Sequence, residues 1–384
     1  MSSKKTTSNS TKYSRVIVVP VSLPLSYGTH HTKMMVLQSE IGVRVVVHTA
    51  NLVMPDWTVK TQGVWVSPLC PMISGSDVDS SSCDDTDCLG FKSYLLQYLK
   101  AYKTTATDQL CRILSKYDMS HIKDVRLVGS VPGMHDSNLF GYLRLKHLLS
   151  LYVDGSIVRP GWRITANCSS IGTLGASQSD WLDTFVRGLQ TTNSTPRDQV
   201  SREEKQPTER QCLFQLVYPT VDMIRNSLEG YCGGGSVPYQ LQTHRRQPWL
   251  RELMCKWESC PEYGRSRVVP HIKTYCRVSP DMKRLAWFLL TSANLSKAAW
   301  GQVIGDGRQL RVRSYELGVL FVDKDLLSVY NPGERSGVMV PYCLPPKPYT
   351  KTDKPWIANV AYSQLDTHGN KWPIEDTSSS SSLI

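Results

Sequence analysis

The alternation of apolar and polar residues predicts strands near the start of the chain. Segments 16–21, 34–37 and 43–48 together are rich in β-branched residues, and this composition favours a pleated, half-buried surface. A helix is predicted to begin near residue 90, after the acidic, serine-rich loop 75–87, because apolar residues then recur at helical spacing. We interpret this stripe as core packing rather than a ligand-binding surface. Its members are Phe91, Tyr94, Leu95, Tyr98, Leu99 and Tyr102.

The pattern further along the chain divides it into two halves. Segment 124–130 predicts a buried strand that opens a new unit, so we assign residues 1–119 and 120–384 to two domains. Segment 191–211 is polar, charged and without periodicity, which predicts a mobile surface insertion. The serine-rich end, 376–384, is predicted to be disordered.

Composition narrows the class of protein. The 384 residues carry a net charge of +11, which favours a polyanionic partner such as nucleic acid. No apolar run is long enough to span a bilayer, and the polar amino end lacks a signal-peptide pattern, so we expect an intracellular protein without a membrane partner. The eleven cysteines are scattered without zinc-site spacing, and we predict no metal site.

One polar pattern occurs twice. His31 and Lys33 precede an apolar run that ends in Ala-Asn-Leu at Asn51, with Trp57 six residues after the asparagine. The second copy has the same order and the same six-residue spacing from asparagine to tryptophan. It consists of His271, Lys273, Asn294 and Trp300. Further on, "TQGVWV" at 61–66 is echoed by "ELGVLF" at 316–321. Such a repeat indicates duplicated units.

A third His-x-Lys pair, His121 and Lys123, lacks this continuation, and we interpret it as a surface pair at a strand entrance. A repeat maintained only for packing would keep its apolar positions first. Here the repeated positions are a histidine, a lysine and an asparagine, which favours a functional interpretation. The alternative, a purely structural duplication, is the weaker one.

The repeated residues suit phosphate chemistry. Two lysines supply positive charges and two asparagines supply neutral donors, which together could hold a tetrahedral anion. One histidine can attack phosphorus and the other can protonate the leaving oxygen. Electrostatic stabilisation by the lysines would replace metal ions, so we predict that no cofactor is needed.

At this point the motifs resemble a known family. Paired His-x-Lys motifs are similar to those of the phospholipase D superfamily, although the usual aspartates, five residues after each lysine, are replaced by Gln38 and Val278. The closer resemblance is to the tyrosyl-DNA phosphodiesterase type 1 family. It rests on "YGTHHTKMM", "HTANL", "KTQGVWVSPL", "SSIGTLGASQSDWL", "SLEGYCGGGSVPY", "PHIKTY", "TSANLSKAAWG", "RSYELGVLF" and "DTHGNKW".

The resemblance implies an α/β fold of two pseudo-symmetric phospholipase D-like domains, each a mixed β-sheet flanked by helices, with the active site at their interface. It also implies hydrolysis of tyrosine or other adducts from a DNA 3′-phosphate. His31 would be the nucleophile and His271 the general acid and base. By motif, Lys33, Lys273, Asn51 and Asn294 would hold phosphate oxygens, and Gln62 and Glu316 would orient the histidines.

DNA contacts are implied by the same resemblance. The strand-gripping residues would be Ser169, Ser170, Ile171, Gly172, Thr173 and Ser296. Hydroxyls and backbone amides suit phosphate contacts that carry no sequence information. Tyr27 would stack on a nucleobase or, equally, pack in the core, and His30 would pack or position its neighbour.

The resemblance implies a monomer that acts on single-stranded or frayed DNA with a blocked 3′ end, with a topoisomerase I-derived peptide as leaving group. It also implies residence in the nucleus, with the cytoplasm as a further compartment. Family members carry more of the first domain before His31, so we expect the sheet that bears it to have an uncovered edge or face. An inactive or unstable shortened form that binds DNA is the alternative, and a lipid phosphodiesterase is a more distant one.

Overall fold

The computed structural model describes residues 16–73, 90–158, 161–193, 214–305, 309–323, 325–330 and 336–373. The acidic loop 75–87, the tail 376–384 and all but the first three residues of the predicted insertion 191–211 lie outside the described residues.

Sixteen strands are found among the described residues. In chain order they are β1 (Met34–Ser39), β2 (Gly42–His48), β3 (Lys60–Thr61), β4 (Val64–Val66), β5 (Val125–Ser130), β6 (Gly133–His135), β7 (Arg163–Asn167), β8 (Phe214–Tyr218), β9 (Met254–Lys256), β10 (Val269–Pro270), β11 (Thr274–Val278), β12 (Arg284–Thr291), β13 (Gln302–Ile304), β14 (Gln309–Val312), β15 (Glu316–Phe321) and β16 (Leu327–Ser328).

Helices flank these strands. Within the described part of the chain they are α1 (Met54–Thr58), α2 (Phe91–Lys100), α3 (Thr105–Leu114), α4 (Gly141–Tyr152), α5 (Leu182–Leu189), α6 (Val221–Arg225), α7 (Leu241–Arg245) and α8 (Lys297–Trp300). Short 3-10 helices occupy Gln178–Asp180, Gly230–Ser236, Pro248–Leu253 and Pro261–Tyr263. The predicted helix near residue 90 is α2, and its aromatic stripe is buried from Phe91 to Leu99.

The larger sheet has the order β5-β15-β12-β11-β7-β8-β9, with β16 paired to β12. Its first five strands are antiparallel, and β7, β8 and β9 are parallel, so the sheet is mixed. Strand β12 is a continuous apolar run buried from Leu285 to Thr291, as expected for a strand covered on both faces. Strand β5, which follows the assigned domain boundary, pairs with β15 and therefore belongs to this sheet.

The smaller sheet has the order β1-β2-β4 and is antiparallel. It repeats the β11-β12-β15 arrangement of the larger sheet, since in each the middle strand pairs with the strand before it and with one that follows. Gly42 closes the β1–β2 turn with φ of +151°, and a Cβ there would lie 2.5 Å from the Cys70 carbonyl oxygen. The α/β class is thus confirmed, and the repeat seen in the sequence is a repeated three-stranded unit.

A shared core joins the halves. Val43, Val45 and Val47 of β2 belong to the same apolar cluster as Leu317 and Val319 of β15, with the buried face of α2 alongside. The short parallel pair β3–β10 links the halves a second time. This packing places the segments before β1 and β11 next to each other.

The prediction of a strand at 16–21 is wrong. The segment is irregular, and Val16, Ile17, Val18 and Val19 are between 38% and 89% exposed. β-Propensity reflects fit to a half-buried sheet surface, and no strand of the described residues pairs with this segment. Pro20 also lacks the N–H that a ladder would require.

One face of the smaller sheet is partly exposed in the part of the chain that the structure describes, although Val46 and His48 at its centre are buried. Strands β1 and β4 are its edges, and Leu37, Val64 and Val66 on one face are 52%, 59% and 47% exposed. The opposite face carries the buried valines of β2. Among the described residues, no helix combines the length and apolar character that crossing a bilayer requires.

Candidate active site

The two predicted histidines lie just before the first strand of each repeated unit, and each is fixed by the other half. The backbone N–H of His31 donates to the Tyr315 carbonyl at 3.0 Å, and that of His271 donates to the Thr61 carbonyl at 2.9 Å. Each acceptor directly precedes the residue predicted to orient that histidine, Glu316 or Gln62. The site is therefore built by an exchange of contacts between the halves.

The side chains of the two histidines also contact the opposite half of the protein. His31 Nδ1 lies 2.9 Å from Glu316 Oε2, and His271 Nδ1 lies 3.0 Å from Gln62 Nε2. Both pairs span the two halves, with Glu316 beginning β15 and Gln62 following β3. The structure thus brings Gln62 and Glu316 to the positions that the resemblance implied for orienting residues.

The side chain of each repeated lysine is bonded to the backbone of the histidine two residues before it. Lys33 Nζ donates to the His31 carbonyl at 3.1 Å, and Lys273 Nζ donates to the carbonyl of His271. Lys33 is 8% exposed and Lys273 is fully buried, which is costly for an ammonium group without a counter-ion. The charges of Glu316 and Asp56 act on both lysines, and two lysines that converge at one buried place indicate a site prepared for an anion.

Electrostatics link the four basic groups. Burial lowers the pKa of Lys273 to about 7, and the charge of Lys33 adds to this effect. Burial also lowers the pKa of His271 to about 2, reinforced by Lys273, Lys33, His31 and, more weakly, Lys60. The imidazole of His271 is therefore neutral in the free site. These mutual effects show that both His-Lys motifs share one site.

A hydroxyl fixes each orienting residue, and the sequence analysis missed both hydroxyls. Thr49 Oγ1 donates to Gln62 Oε1 at 2.7 Å, and Ser292 Oγ donates to Glu316 Oε2. The Gly63 and Leu317 backbone N–H groups donate to these hydroxyls at 2.9 and 3.1 Å. Aligning the two repeats would have found them, because each lies directly before Ala-Asn.

The two histidines differ in what their Nδ1 atoms contact. The Glu316 carboxylate accepts hydrogen bonds without donating them, so His31 carries its proton on Nδ1 and keeps a lone pair on Nε2. Gln62 offers both a donor and an acceptor, with its Oε1 3.3 Å from His271 Nδ1. Glu316 thereby holds His31 in the tautomer that suits a nucleophile, whereas Gln62 can bond to Nδ1 of His271 in either protonation state of the ring.

Each repeated asparagine lies three residues after the middle strand of its three-stranded unit. Asn294 Oδ1 accepts from the backbone N–H groups of Ser169 and Ser170 at 3.1 and 3.0 Å, which turns its NH₂ group away from them. The side chain of Asn51 is exposed, while its carbonyl accepts from Trp57 Nε1 at 2.8 Å. These bonds fix the Asn294 side chain and the Asn51 backbone.

The predicted DNA-contacting segment lies along the second asparagine. Ile171 is buried and forms a parallel bridge to Leu295, so its backbone rather than its side chain is available. Thr173 is exposed, and Ser296 caps α8 by accepting from the Ala299 N–H at 3.1 Å. A Cβ on Gly172 would lie 2.6 Å from that of Ser296, which explains the glycine.

Gln247, which the sequence analysis did not single out, fixes the backbone of the predicted DNA-contacting segment. It is fully buried, accepts from the Leu174 N–H at 2.9 Å and donates to the Gly172 carbonyl at 3.2 Å. No periodicity or motif marks the residue, since it belongs to an irregular connection between two short helices. It gives the loop a fixed backbone.

Tyr27 and His30 lie on the approach to His31. Tyr27 is 89% exposed with φ of +62°, so the core-packing alternative is wrong. The His30 ring contacts the rings of Tyr102 and Tyr315, and its Nε2 lies 3.0 Å from the Tyr102 hydroxyl. His30 therefore packs beside the site. The pair His121 and Lys123 is exposed just before β5, as interpreted from the sequence.

Known proteins are similar to this chain along most of its length. The family model described as tyrosyl-DNA phosphodiesterase matches residues 1–350. A probable tyrosyl-DNA phosphodiesterase of Caenorhabditis elegans is 38% identical over 369 residues, covering 93% of this chain and 74% of that protein. Tyrosyl-DNA phosphodiesterase 1 of Drosophila melanogaster is 36% identical over 89% of this chain, which spans 59% of the fly protein.

The fold also has a solved counterpart. The crystal structure of the yeast tyrosyl-DNA phosphodiesterase superposes with a TM-score of 0.69 at 22% identity, covering 90% of this chain and 81% of the yeast chain. The chain therefore belongs to the tyrosyl-DNA phosphodiesterase family, whose members are hydrolases of phosphodiester bonds.

Proposed function

We propose that this chain hydrolyses the bond between a tyrosine, or a related adduct, and the 3′-phosphate of DNA through a phosphohistidine on His31. The observation that carries the proposal is the contrast between the two histidines. Glu316 holds His31 as a nucleophile with Nε2 unprotonated, whereas the partners of His271 Nδ1 allow that residue to exchange a proton.

In the first step, His31 Nε2 forms a bond to phosphorus while the bond from phosphorus to the tyrosyl oxygen breaks. His271, protonated when the anionic substrate is bound, transfers its Nε2 proton to that oxygen. Tyrosine, or a topoisomerase I-derived peptide that ends in it, leaves as a neutral phenol. The Nδ1 proton of His31 remains on the hydrogen bond to Glu316 and stabilises the charged phosphoimidazole.

In the second step, neutral His271 takes a proton from water at Nε2 while the water oxygen attacks phosphorus. The phosphorus–nitrogen bond to His31 breaks, and DNA with a 3′-phosphate is released. Lys33 and Lys273 stabilise the negative charge on the phosphate oxygens in both steps, and the NH₂ groups of Asn51 and Asn294 donate to the same oxygens.

The proposed DNA-binding surface of the protein includes the loop beside Asn294. The loop 169–173, chiefly through the backbone of Ile171 and the exposed Thr173, and the hydroxyl of Ser296 would bind backbone phosphates, and exposed Tyr27 would stack on a base. Such contacts favour single-stranded or frayed 3′ ends without sequence preference. We further propose that the chain acts as a monomer in the nucleus, with a cytoplasmic fraction. Gel filtration with light scattering and cell fractionation would test these two points.

The decisive experiment uses a labelled single-stranded oligonucleotide ending in 3′-phosphotyrosine, incubated in EDTA with the wild type, His31→Ala or His271→Ala. We expect conversion to the 3′-phosphate by the wild type, none by His31→Ala, and a DNA–protein adduct that accumulates on His271→Ala. Folded wild-type protein that binds the strand without converting it would replace the proposal with a non-catalytic DNA-binding protein. Cleavage of phosphatidylcholine in preference to the oligonucleotide would favour a lipid phosphodiesterase.

A further inference from the structure

Asp56 lies inside the site although no motif marks it. It belongs to the five-residue helix α1, is 4% exposed, and its Oδ2 lies 3.3 Å from His271 Nδ1. The same oxygen accepts from the backbone N–H of Asn51 at 2.6 Å, so the carboxylate is fixed in place. A buried carboxylate held against one nitrogen of a catalytic candidate is costly unless a cation forms beside it.

The repeat shows why this carboxylate is unusual. Gln62 and Glu316 occupy equivalent positions, so His31 contacts a carboxylate there and His271 contacts an amide. Asp56 has the neutral Ala299 as its counterpart, because each residue directly precedes the repeated tryptophan. The second histidine thus has a carboxylate as well, supplied from a different position.

The charges around His271 explain what this carboxylate could do. Lys273, Lys33, Lys60 and His31 face the imidazole and disfavour its protonated form, as does burial. Of the nearby carboxylates, Glu229 is paired with Lys60, and Glu316 is bonded to His31 and Ser292. The Asp56 carboxylate is the one in contact with the His271 ring. Burial lowers the pKa values of Lys33 and Lys273, and the charges of Glu316 and, more weakly, Asp56 oppose this lowering, so Asp56 acts on both lysines as well.

We propose that Asp56 is a positioning residue that accepts a hydrogen bond from Nδ1–H of His271 and stabilises the imidazolium formed when phosphate occupies the site. This inference rests on the proposed function, since it assigns the group that allows His271 to act as general acid. Gln62 orients the ring in either protonation state because its amide can donate or accept. Asp56 favours the protonated state, since a carboxylate accepts hydrogen bonds and opposes positive charge.

The test compares Asp56→Asn with the wild type in single-turnover release of the leaving group. Asparagine keeps an oxygen for the Asn51 N–H and removes the charge. We expect release of tyrosine from the 3′-phosphotyrosine oligonucleotide to slow by about 10- to 100-fold, since general acid catalysis typically contributes 10²–10⁴-fold. Release of 4-nitrophenol from the matching 3′-ester should change by less than about threefold, because this phenol leaves as its anion.

A rescue variant separates charge from packing. Gln62→Glu in the Asp56→Asn background places a carboxylate against His271 Nδ1 as Glu316 does for His31, and Thr49 can still donate to it. We expect tyrosine release to recover by about tenfold relative to Asp56→Asn alone. Equal losses on both esters with no rescue would mean that Asp56 only supports the fold of α1, and would overturn the inference.

A second measurement requires no turnover. Nitrogen NMR of ¹⁵N-histidine-labelled protein saturated with inorganic phosphate reports which ring nitrogen of His271 carries a proton, with His271→Asn for assignment. We expect a protonated Nδ1 in the wild type and a proton confined to Nε2 in Asp56→Asn. An unprotonated Nδ1 in the wild type would overturn the inference. If folded wild type cleaves neither ester, the proposed function fails, and this measurement still decides the role of Asp56.

Discussion

The carboxylate of Glu316 lies 2.9 Å from Nδ1 of His31, although 285 residues separate them in the chain. This contact crosses from one half to the other, and so does the contact between Gln62 and His271. Neither half therefore contains a complete histidine with its orienting residue. Correct docking of the two halves becomes a condition for chemistry.

Replacing Glu316 by glutamine tests the first of these contacts. The amide can donate to Nδ1 and thereby stabilise the tautomer in which Nε2 of His31 carries the proton and is not nucleophilic. We expect the single-turnover rate of phosphohistidine formation to fall by about 10²–10⁴-fold, since general acid–base catalysis typically contributes that much and the wrong histidine tautomer can cost about 10⁴-fold. Rapid-quench detection of the DNA–protein adduct measures this rate.

Exposed Glu262 supplies the matched control, since Glu262→Gln makes the same chemical change outside the site. Its rate should equal that of the wild type. A Glu316→Gln rate within threefold of the control would show that Glu316 does not set the tautomer.

Lys273 makes stability depend on pH. Its pKa is about 7 in the folded protein, because the group is buried and Lys33 is close, against about 10.4 in an unfolded chain. Between these values the unfolded state binds a proton that the folded state lacks, so stability rises as pH rises from 7 to about 10. Below pH 7 the folded state carries the buried charge at full cost.

The corresponding variant is Lys273→Met. We expect its melting temperature to exceed that of the wild type by a few degrees at pH 6.5, and the difference to shrink towards pH 10. Inorganic phosphate should also reduce the difference at pH 6.5, because an anion bound between the lysines stabilises their charged forms. Calorimetry at the two pH values measures both effects, and a difference that grows with pH would contradict the assignment.

Gly172 controls the distance between the DNA-contacting loop and α8. A methyl group at this position would lie 2.6 Å from Ser296 Cβ, so Gly172→Ala must displace the loop or the helix cap. We expect weaker binding of a single-stranded oligonucleotide, by about 1–2 kcal/mol, since phosphate contacts from the backbone would lose their register. Fluorescence anisotropy at fixed salt measures the affinity.

Gly235→Ala is the control for this change, because a Cβ there meets no atom within 4 Å. Affinity should be unchanged in the control. Unchanged affinity in Gly172→Ala as well would place the strand elsewhere on the protein.

Most of the site was predictable, because polar residues repeated at fixed spacing are rare in packing motifs. The helix at Phe91 also followed from apolar periodicity, and strands β1, β2 and β5 from their apolar and β-branched composition. The orienting roles of Gln62 and Glu316 were implied by the resemblance alone, since spacing says nothing about which half a side chain contacts.

Asp56 and the segment 16–21 show where sequence patterns fail. Asp56 lies in a single helical turn without periodicity and has no acidic counterpart in the repeat, so only its distance to His271 identifies it. Segment 16–21 has strand composition but no pairing strand among the described residues, and composition cannot supply a partner.

Variants of Tyr27 test how the protein binds single-stranded DNA without reading its sequence. Its side chain is 89% exposed, so removing it should leave the melting temperature unchanged. We expect Tyr27→Ala to weaken single-strand binding by about 1–3 kcal/mol, the usual contribution of one base–aromatic stack, and Tyr27→Phe to bind like the wild type. The salt dependence of binding should be the same in all three proteins, because loss of a base–aromatic stack removes no phosphate contact. A loss in Tyr27→Phe equal to that in Tyr27→Ala would instead assign the contribution to the hydroxyl group, and hence to a phosphate or sugar contact.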